Sequence, residues 1–273
     1  MTVVVTEGGV LIKDSDLDIV KTFDCGQCFR FEEGEDGTVS GVAFGRRLSL
    51  KNTDGGVLLL GVSGEEYETI WREFLDMDRD YSRLRGVFED YPKVRAAAEV
   101  GYGIHILRQE PWETLCSFII SQNNNIPRIK KIIRTLCESY GEPLAEGGYT
   151  FPTPEALLAA GEEGLRVCGC GFRARYLLCA AEAVRGGLDV AALRNTDYAT
   201  AMEALLALTG VGPKVASCVA LFGLCHTEAF PVDVWIKRVL EKYFDEDFDP
   251  TVFGKDAGIA QQYLFYYERY REK

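Results

Sequence analysis

A glycine turn that opens a helix is the feature that most constrains this chain. Residues 208–212 read Leu-Thr-Gly-Val-Gly, and Pro213 follows them. Two glycines let the backbone turn tightly and approach a partner closely, and proline fits the first turn of a helix. The first amides of a helix lack an intrahelical acceptor and lie at the positive end of its dipole. The turn therefore predicts an anion site suited to a phosphate.

The residues after the turn include a candidate nucleophile and a candidate carboxylate. A helix over residues 214–223 would place Cys218 one turn from Lys214 on the same face. A lysine forms a covalent intermediate only as the neutral amine, and a helix start beside apolar residues favours that form. Asp233 precedes the amphipathic run 234–240, where it would cap a helix and could also act as a carboxylate. Taken alone, the glycine turn is more typical of a simple connection between packed helices.

This stretch resembles the helix-hairpin-helix, Gly/Pro-Asp DNA glycosylase superfamily, and within it the 8-oxoguanine DNA glycosylase family. The shared pattern is an L-x-G-V-G hairpin, a lysine just after it and an aspartate in a P-V-D segment. The resemblance implies that Lys214 attacks the sugar of the damaged nucleotide and that Asp233 stabilises the developing sugar cation. It also implies that amides following Gly210 and Gly212 hold a backbone phosphate.

The segment Cys-Gly-Gln-Cys-Phe-Arg-Phe over residues 25–31 carries a second motif. A C-x-x-C pair is typical of redox or metal sites, but a zinc site needs a second ligand pair, and the two histidines, at 105 and 226, lie far apart in sequence. A turn glycine leading into a strand is the plain alternative. The segment resembles the family's G-Q-x-F-R element, which implies that the Gly26 carbonyl accepts a hydrogen bond from the N7–H of 8-oxoguanine.

A third motif, Ala-Gly-Ile-Ala-Gln-Gln-Tyr-Leu-Phe, occupies residues 257–265. Gln261 and Phe265 are four residues apart and so share one helix face, and an amide with an aromatic ring suits a flipped base. Spacing alone favours a surface glutamine and a core phenylalanine. The resemblance implies instead that Gln261 reads the Watson–Crick edge and Phe265 stacks on one face of the base, with Cys218 on the other face.

Two more segments match the family at positions that would contact DNA. Residues 121–129 read Ser-Gln-Asn-Asn-Asn-Ile-Pro-Arg-Ile, and residues 169–176 read Gly-Cys-Gly-Phe-Arg-Ala-Arg-Tyr. A helix-to-helix turn and a core phenylalanine are the plain alternatives. The resemblance implies that Asn123 and Arg128 contact the partner base, that Phe172 is the wedge where tyrosine is usual, and that Arg173 also contacts the partner base. Trp235 stands where many eukaryotic members have histidine.

The pattern of apolar residues predicts an α+β fold. Short alternating runs at residues 29–31, 39–44, 46–50 and 57–62 indicate an antiparallel sheet. Ser63 and Glu66 have the spacing of a capping box before a helix that would cover the sheet. Helical patterns dominate after about residue 95. We therefore predict an N-terminal antiparallel β domain over residues 1–95 and a larger all-helical region over 96–273, with the helix-hairpin-helix at about 204–223.

Charge by itself does not settle whether the partner is a nucleic acid. The chain of 273 residues has a formal net charge of −12, which is unusual for a protein that binds phosphates. Residues 121–136, however, contain Arg128, Lys130, Lys131 and Arg134 and no acidic residue. Such segregation could steer DNA to one face, and ordinary solvated helix charges explain the pattern equally well.

Cysteine usage and the absence of long apolar runs point to an intracellular protein. The nine cysteines lack the regular spacing of an extracellular disulfide framework, and we expect no secretion signal and no membrane span. The expected location is the cytoplasm or nucleoid in a prokaryote and the nucleus in a eukaryote. No C-x6-C-x2-C-x5-C array follows the hairpin, so an iron–sulfur cluster is not expected. We also expect no other cofactor and no metal.

The sequence thus predicts a bifunctional DNA glycosylase and abasic-site lyase. Its expected partner is duplex DNA with 8-oxoguanine opposite cytosine, bound by a monomer. A glycosylase for a different lesion is the alternative among enzymes. A non-catalytic hairpin module, in which Lys214 only contacts phosphate, is the alternative outside them.

Overall fold

The computed structural model describes residues 1–271. The N-terminal part of the chain forms a six-stranded antiparallel sheet. The strand order is β1-β2-β6-β5-β4-β3. The strands are β1 (Thr2–Thr6), β2 (Gly9–Lys13), β3 (Phe31–Glu33), β4 (Val39–Ala43), β5 (Arg46–Thr53) and β6 (Gly56–Leu60). The predicted α+β fold, with an N-terminal sheet and helices after it, is confirmed.

The first hairpin of the sheet was not predicted. Strands β1 and β2 pair with Thr6 opposite Gly9, and Gly9 has a φ of 132°. A Cβ at this position would lie 1.9 Å from the Leu59 carbonyl oxygen of β6, so only glycine fits. The run of valines followed by a Glu-Gly-Gly turn is the signal that could have revealed the hairpin.

Helices cover one face of the sheet. Helix α1 (Ile19–Asp24) follows β2, and a second helical segment follows β6 as α2 (Gly64–Glu66), a π turn (Tyr67–Trp71) and α3 (Arg72–Phe74). Ser63 accepts a hydrogen bond from the Glu66 amide, 3.1 Å from Oγ to N, as the capping-box spacing predicts. Trp71 and Phe74 pack against the buried side chains of the sheet.

The remainder of the described chain is helical. After α4 (Leu84–Val87) and α5 (Pro92–Val100), the longer helices are α6 (Pro111–Ser121), α7 (Ile126–Tyr140), α8 (Pro154–Val167), α9 (Arg173–Arg185), α10 (Tyr198–Leu206), α11 (Pro213–Phe222), α12 (Val234–Tyr243) and α13 (Ala257–Arg271). Short 3-10 helices lie at Ala192–Asn195 and Pro250–Asp256. Among residues 1–271, no helix is long and apolar enough to cross a lipid bilayer.

The helical core also takes in residues from the N-terminal part of the chain. Phe29, Tyr81 and Phe88 belong to the same buried cluster as the central helix α11. Helix α5 packs against α13, and residue 95 lies within α5. The division into domains at residue 95 stays a prediction.

Candidate active site

Lys214 lies in the first turn of α11 and is held from across the molecule. Its Nζ donates a hydrogen bond to Ser121 Oγ, 3.0 Å away. The Ser121 hydroxyl donates in turn to the Phe118 carbonyl oxygen at 2.7 Å, which leaves its lone pairs available to the lysine. Nζ also lies 5.1 Å from the centroid of the Phe118 ring. The end of α6 thus determines where the Lys214 amine lies.

The two hairpin glycines have different surroundings. Gly210 has a φ of 84°, and a Cβ there would lie 2.1 Å from Tyr176 Cγ. The ring of Tyr176 therefore requires glycine at this position. Gly212 is the extended N-cap of α11, and a Cβ there would meet no atom within 4 Å. The side of the turn at Gly212 is open, next to helix amides that have no intrahelical acceptor.

Asp233 caps α12, as predicted. Its Oδ1 accepts a hydrogen bond from the Ile236 amide at 2.8 Å, which satisfies one of the free donors at the helix start. The side chain is half-buried and lines the same cavity as Lys214. Capping holds the carboxylate in place without removing it from the cavity.

A cavity of about 670 Å³ brings most of the predicted site residues together. Its walls include Gly26, Asn123, Lys214, Cys218, Asp233, Gln261 and Phe265, and also Trp235. The other predicted residues lie outside its walls: Arg128, Phe172, Arg173, Gly210 and Gly212. A second concavity, of about 640 Å³ and lined by Trp112 and Phe151 among others, contains none of the predicted residues.

Three other side chains of the cavity, Gln261, Cys218 and Phe265, have the properties that a base-binding site needs. Gln261 is only 4% exposed, and its Oε1 has no hydrogen-bond partner among the described residues. A buried amide oxygen without a donor is costly, so it is suited to accept a bond from a ligand in this cavity. Burial raises the pKa of the Cys218 thiol to about 11, so the thiol stays neutral near pH 7. A neutral thiol and the Phe265 ring are both suitable surfaces for a planar base.

Gly26 lies directly beside the Phe265 ring. Its φ is 79°, and a Cβ there would approach Phe265 Cε1 and Ile126 Cδ1 to 3.3 Å each. The adjacent Gln27 is fully buried. Its amide donates to the carbonyl oxygens of Thr22 and His105 at 2.9 and 2.8 Å. Because Gly26 has no side chain, there is space beside the Phe265 ring. The next residue, Gln27, is held rigidly by its hydrogen bonds.

The residues predicted to contact DNA differ in their exposure, and Asn123 is the one among them that lines the cavity. Phe172 is 49% exposed at the start of α9, so it is not a core residue. Asn123 is exposed, with a φ of 48°. Arg173 is only 3% exposed. Its Nε donates to the Gln122 carbonyl oxygen at 2.7 Å, and one terminal nitrogen donates to the Asn123 carbonyl oxygen at 2.9 Å. Arg173 thus holds the asparagine loop, residues 122–125, which connects α6 to α7.

Sequence reasoning missed three polar residues that connect these parts. Ser121 holds Lys214, Gln122 Nε2 donates to the Gly210 carbonyl oxygen at 3.0 Å, and Gln262 Nε2 donates to the Cys25 carbonyl oxygen at 2.7 Å. All three are next to or near residues that were singled out, but their partners are distant in sequence. Position within a motif was the only available signal.

Within residues 1–271, no group of three or more His, Cys, Asp or Glu side chains is arranged to hold a metal ion.

Comparison with known proteins agrees with this architecture. Residues 9–115 match the family described as 8-oxoguanine DNA glycosylase, N-terminal domain, and residues 116–251 match the HhH-GPD superfamily base excision DNA repair proteins. The N-glycosylase/DNA lyase of Saccharomyces cerevisiae is 38% identical over 178 residues, which is 58% of this chain and 47% of that protein. The chain therefore spans about half the length of this relative.

Two further relatives match over a larger share of their length. The N-glycosylase/DNA lyase OGG1 of Arabidopsis thaliana is 30% identical to this chain. The match covers 94% of this chain and 74% of the length of the Arabidopsis protein. The crystal structure of Clostridium acetobutylicum 8-oxoguanine glycosylase/lyase, bound to duplex DNA with cytosine opposite 8-oxoG, is 33% identical. It superposes with a TM-score of 0.93 over 100% of this chain and 99% of that one. With both halves matched and the whole fold shared, the chain belongs to the 8-oxoguanine DNA glycosylase family.

Proposed function

We propose that this protein is a bifunctional 8-oxoguanine DNA glycosylase and abasic-site lyase. It flips 8-oxoguanine out of a duplex, excises it and cleaves the strand by β-elimination. The observation that carries this proposal is the single cavity that contains Lys214, Asp233, Gln261 and Phe265. The names of the Arabidopsis and Clostridium relatives support the same activity.

The chemistry begins at the Lys214 amine. Neutral Nζ attacks C1′ of the flipped nucleotide, the bond between C1′ and the base breaks, and the base leaves with a proton. The bond between C1′ and O4′ then breaks, O4′ takes up a proton from solvent, and a protonated Schiff base remains on Lys214. Loss of a C2′ proton then breaks the bond between C3′ and its oxygen, which cleaves the strand. Asp233 stabilises the positive charge that develops on the sugar.

Recognition of the base relies on the walls of the cavity. Gln261 uses its unpaired Oε1 as an acceptor and its side-chain NH2 group as a donor to read the Watson–Crick edge. Phe265 and Cys218 contact the two faces of the base. Guanine and 8-oxoguanine differ little on the edge that Gln261 reads. The Gly26 carbonyl therefore selects the oxidised base, because only 8-oxoguanine has an N7–H to donate.

The DNA lies across the cavity mouth. Amides after Gly210 and Gly212 hold one backbone phosphate at the start of α11. Phe172 wedges into the base stack where the damaged nucleotide leaves. Asn123, Arg128 and Arg173 contact the partner cytosine. The Arg173 guanidinium has five N–H donors, and its bonds to the carbonyl oxygens of Cys170, Gln122 and Asn123 use four of them, so one N–H is left for the base.

The protein acts as a monomer in an intracellular compartment that contains DNA. One chain is sufficient because all the residues named for catalysis and base binding line one cavity of the same chain. The compartment follows from the substrate.

Cleavage assays with defined duplexes test this function. Wild type should release 8-oxoguanine and nick the strand, with cytosine as the preferred partner, and Lys214→Gln should do neither while still binding DNA. Activity on another damaged base but not on 8-oxoguanine would favour a glycosylase for that lesion. Binding without cleavage of any lesion would favour a non-catalytic hairpin module.

A further inference from the structure

We infer that Gln262 is a positioning residue that orients the Gly26 carbonyl and thereby sets the discrimination between 8-oxoguanine and guanine. This inference rests on the proposed function, in which the Gly26 carbonyl detects the oxidised base. Glycine is the most flexible residue, and Gly26 has no side chain by which its own conformation could be fixed. Its neighbours must therefore fix the direction of its carbonyl.

The peptide group before Gly26 is held by α13. Gln262 is 2% exposed, and its Nε2 donates to the Cys25 carbonyl oxygen at 2.7 Å. That carbonyl is in the same planar group as the Gly26 nitrogen. The hydrogen bond therefore restricts rotation of the peptide plane between Cys25 and Gly26. The next peptide plane along the chain contains the Gly26 carbonyl.

The residue after Gly26 is held by the scaffold. Gln27 donates to the carbonyl oxygens of Thr22 and His105 and accepts from the Leu107 amide at 2.8 Å. Gly26 thus lies between two fixed points, one from α13 and one from the segment before α6. The Gln27 side chain has four hydrogen-bond partners, and its loss would disturb the core. Gln262 makes one such bond and is the cleaner residue to change.

The same helix turn carries both parts of base recognition. Gln261 and Gln262 are consecutive, so their side chains leave α13 about 100° apart. Gln261 presents its unpaired oxygen to a ligand, while Gln262 bonds to the backbone beside Gly26. One rigid helix therefore sets the distance between the contact to the base edge and the contact to N7–H.

Binding measurements in a Lys214→Gln background test the inference, because this background prevents turnover. The affinity ratio for duplexes with 8-oxoguanine or guanine opposite cytosine is measured with and without Gln262→Met, which keeps the length of the side chain and removes the amide. We expect the ratio to fall roughly tenfold, as for a lost buried hydrogen bond. With Lys214 intact, Gln262→Met should slow 8-oxoguanine excision far more than cleavage at a preformed abasic site.

Two further variants separate positioning from general destabilisation. Thr114→Val is the matched control. It removes the hydrogen bond of 2.7 Å from the buried Thr114 to the Glu110 carbonyl oxygen, away from Gly26, and it should leave the ratio unchanged. Gln262→Glu should discriminate poorly at neutral pH. Burial raises a carboxyl pKa, and on acidification the protonated acid can donate to the Cys25 carbonyl, so discrimination should recover as the pH falls.

The outcomes distinguish this inference from the proposed function. If the wild-type protein shows no preference for 8-oxoguanine over guanine, both the proposed function and this inference are wrong. A wild-type preference that persists in Gln262→Met would overturn the inference alone. Should Gln262→Met fail to fold, the Gln262→Glu series decides, and a ratio that does not change with pH would overturn the inference.

Discussion

Ser121 Oγ lies 3.0 Å from Lys214 Nζ and links the end of α6 to the start of α11. The serine hydroxyl is itself oriented by its bond to the Phe118 carbonyl oxygen. The proposed nucleophile therefore does not rotate freely on its four-carbon stem. Its position is determined by a residue 93 positions earlier in the chain.

We predict that Ser121→Ala slows both base excision and abasic-site cleavage by roughly tenfold, because a misplaced nucleophile loses reactivity steeply with distance. Single-turnover rates on lesion and abasic duplexes provide the measurement. Equal rates in wild type and variant would mean that Lys214 needs no partner to reach C1′.

We predict that Asp233→Asn loses about 100-fold or more in excision rate, because it removes the charge that stabilises the sugar cation. Asparagine caps helices as well as aspartate does, so the melting temperature should stay close to that of wild type. A large drop in melting temperature, with activity falling only in proportion, would assign Asp233 to helix capping alone.

We predict that Gly212→Val weakens binding to lesion and undamaged DNA alike, with little loss of stability. A Cβ at Gly212 meets no protein atom within 4 Å, so the added side chain begins in open space, where it would obstruct a bound phosphate. Gly210→Ala is the contrasting variant. Its Cβ would clash with the Tyr176 ring, so it should unfold at a lower temperature. A selective loss of affinity for lesion DNA in Gly212→Val would contradict phosphate binding by the hairpin.

We predict that Gln261→Ala and Phe265→Ala each reduce 8-oxoguanine excision at least tenfold, as expected for losing a buried contact to the base. Cleavage at a preformed abasic site should be affected far less, because no base needs to be held there. The two substrates are compared under single-turnover conditions. Equal loss on both would assign these residues to the scaffold.

Local sequence patterns predicted the parts of the site that depend on neighbours in the chain. The start of α11 at Pro213 follows from the Gly-Val-Gly-Pro order, and the cap at Asp233 follows from its place before an amphipathic run. Both depend on backbone preferences within a few residues. The resemblance to a known family supplied the rest of the expected site.

Contacts between distant segments could not be predicted in this way. The bond from Gln262 to Cys25 joins residues 237 positions apart, and the spacing of Gln262 on α13 does not reveal its partner. The hydrogen bonds from the Arg173 guanidinium to the asparagine loop were likewise not predicted. Such contacts depend on how the helices pack, which the period of a single helix does not specify.

Borohydride trapping tests the central claim, that Lys214 forms a Schiff base, most directly. Reduction during reaction with an 8-oxoguanine duplex should give a covalent protein–DNA adduct with wild type and none with Lys214→Gln. Lys237→Gln is the matched control, because Lys237 lines the same cavity from α12 and is exposed, and this variant should still be trapped. An adduct of equal yield with Lys214→Gln would contradict the account.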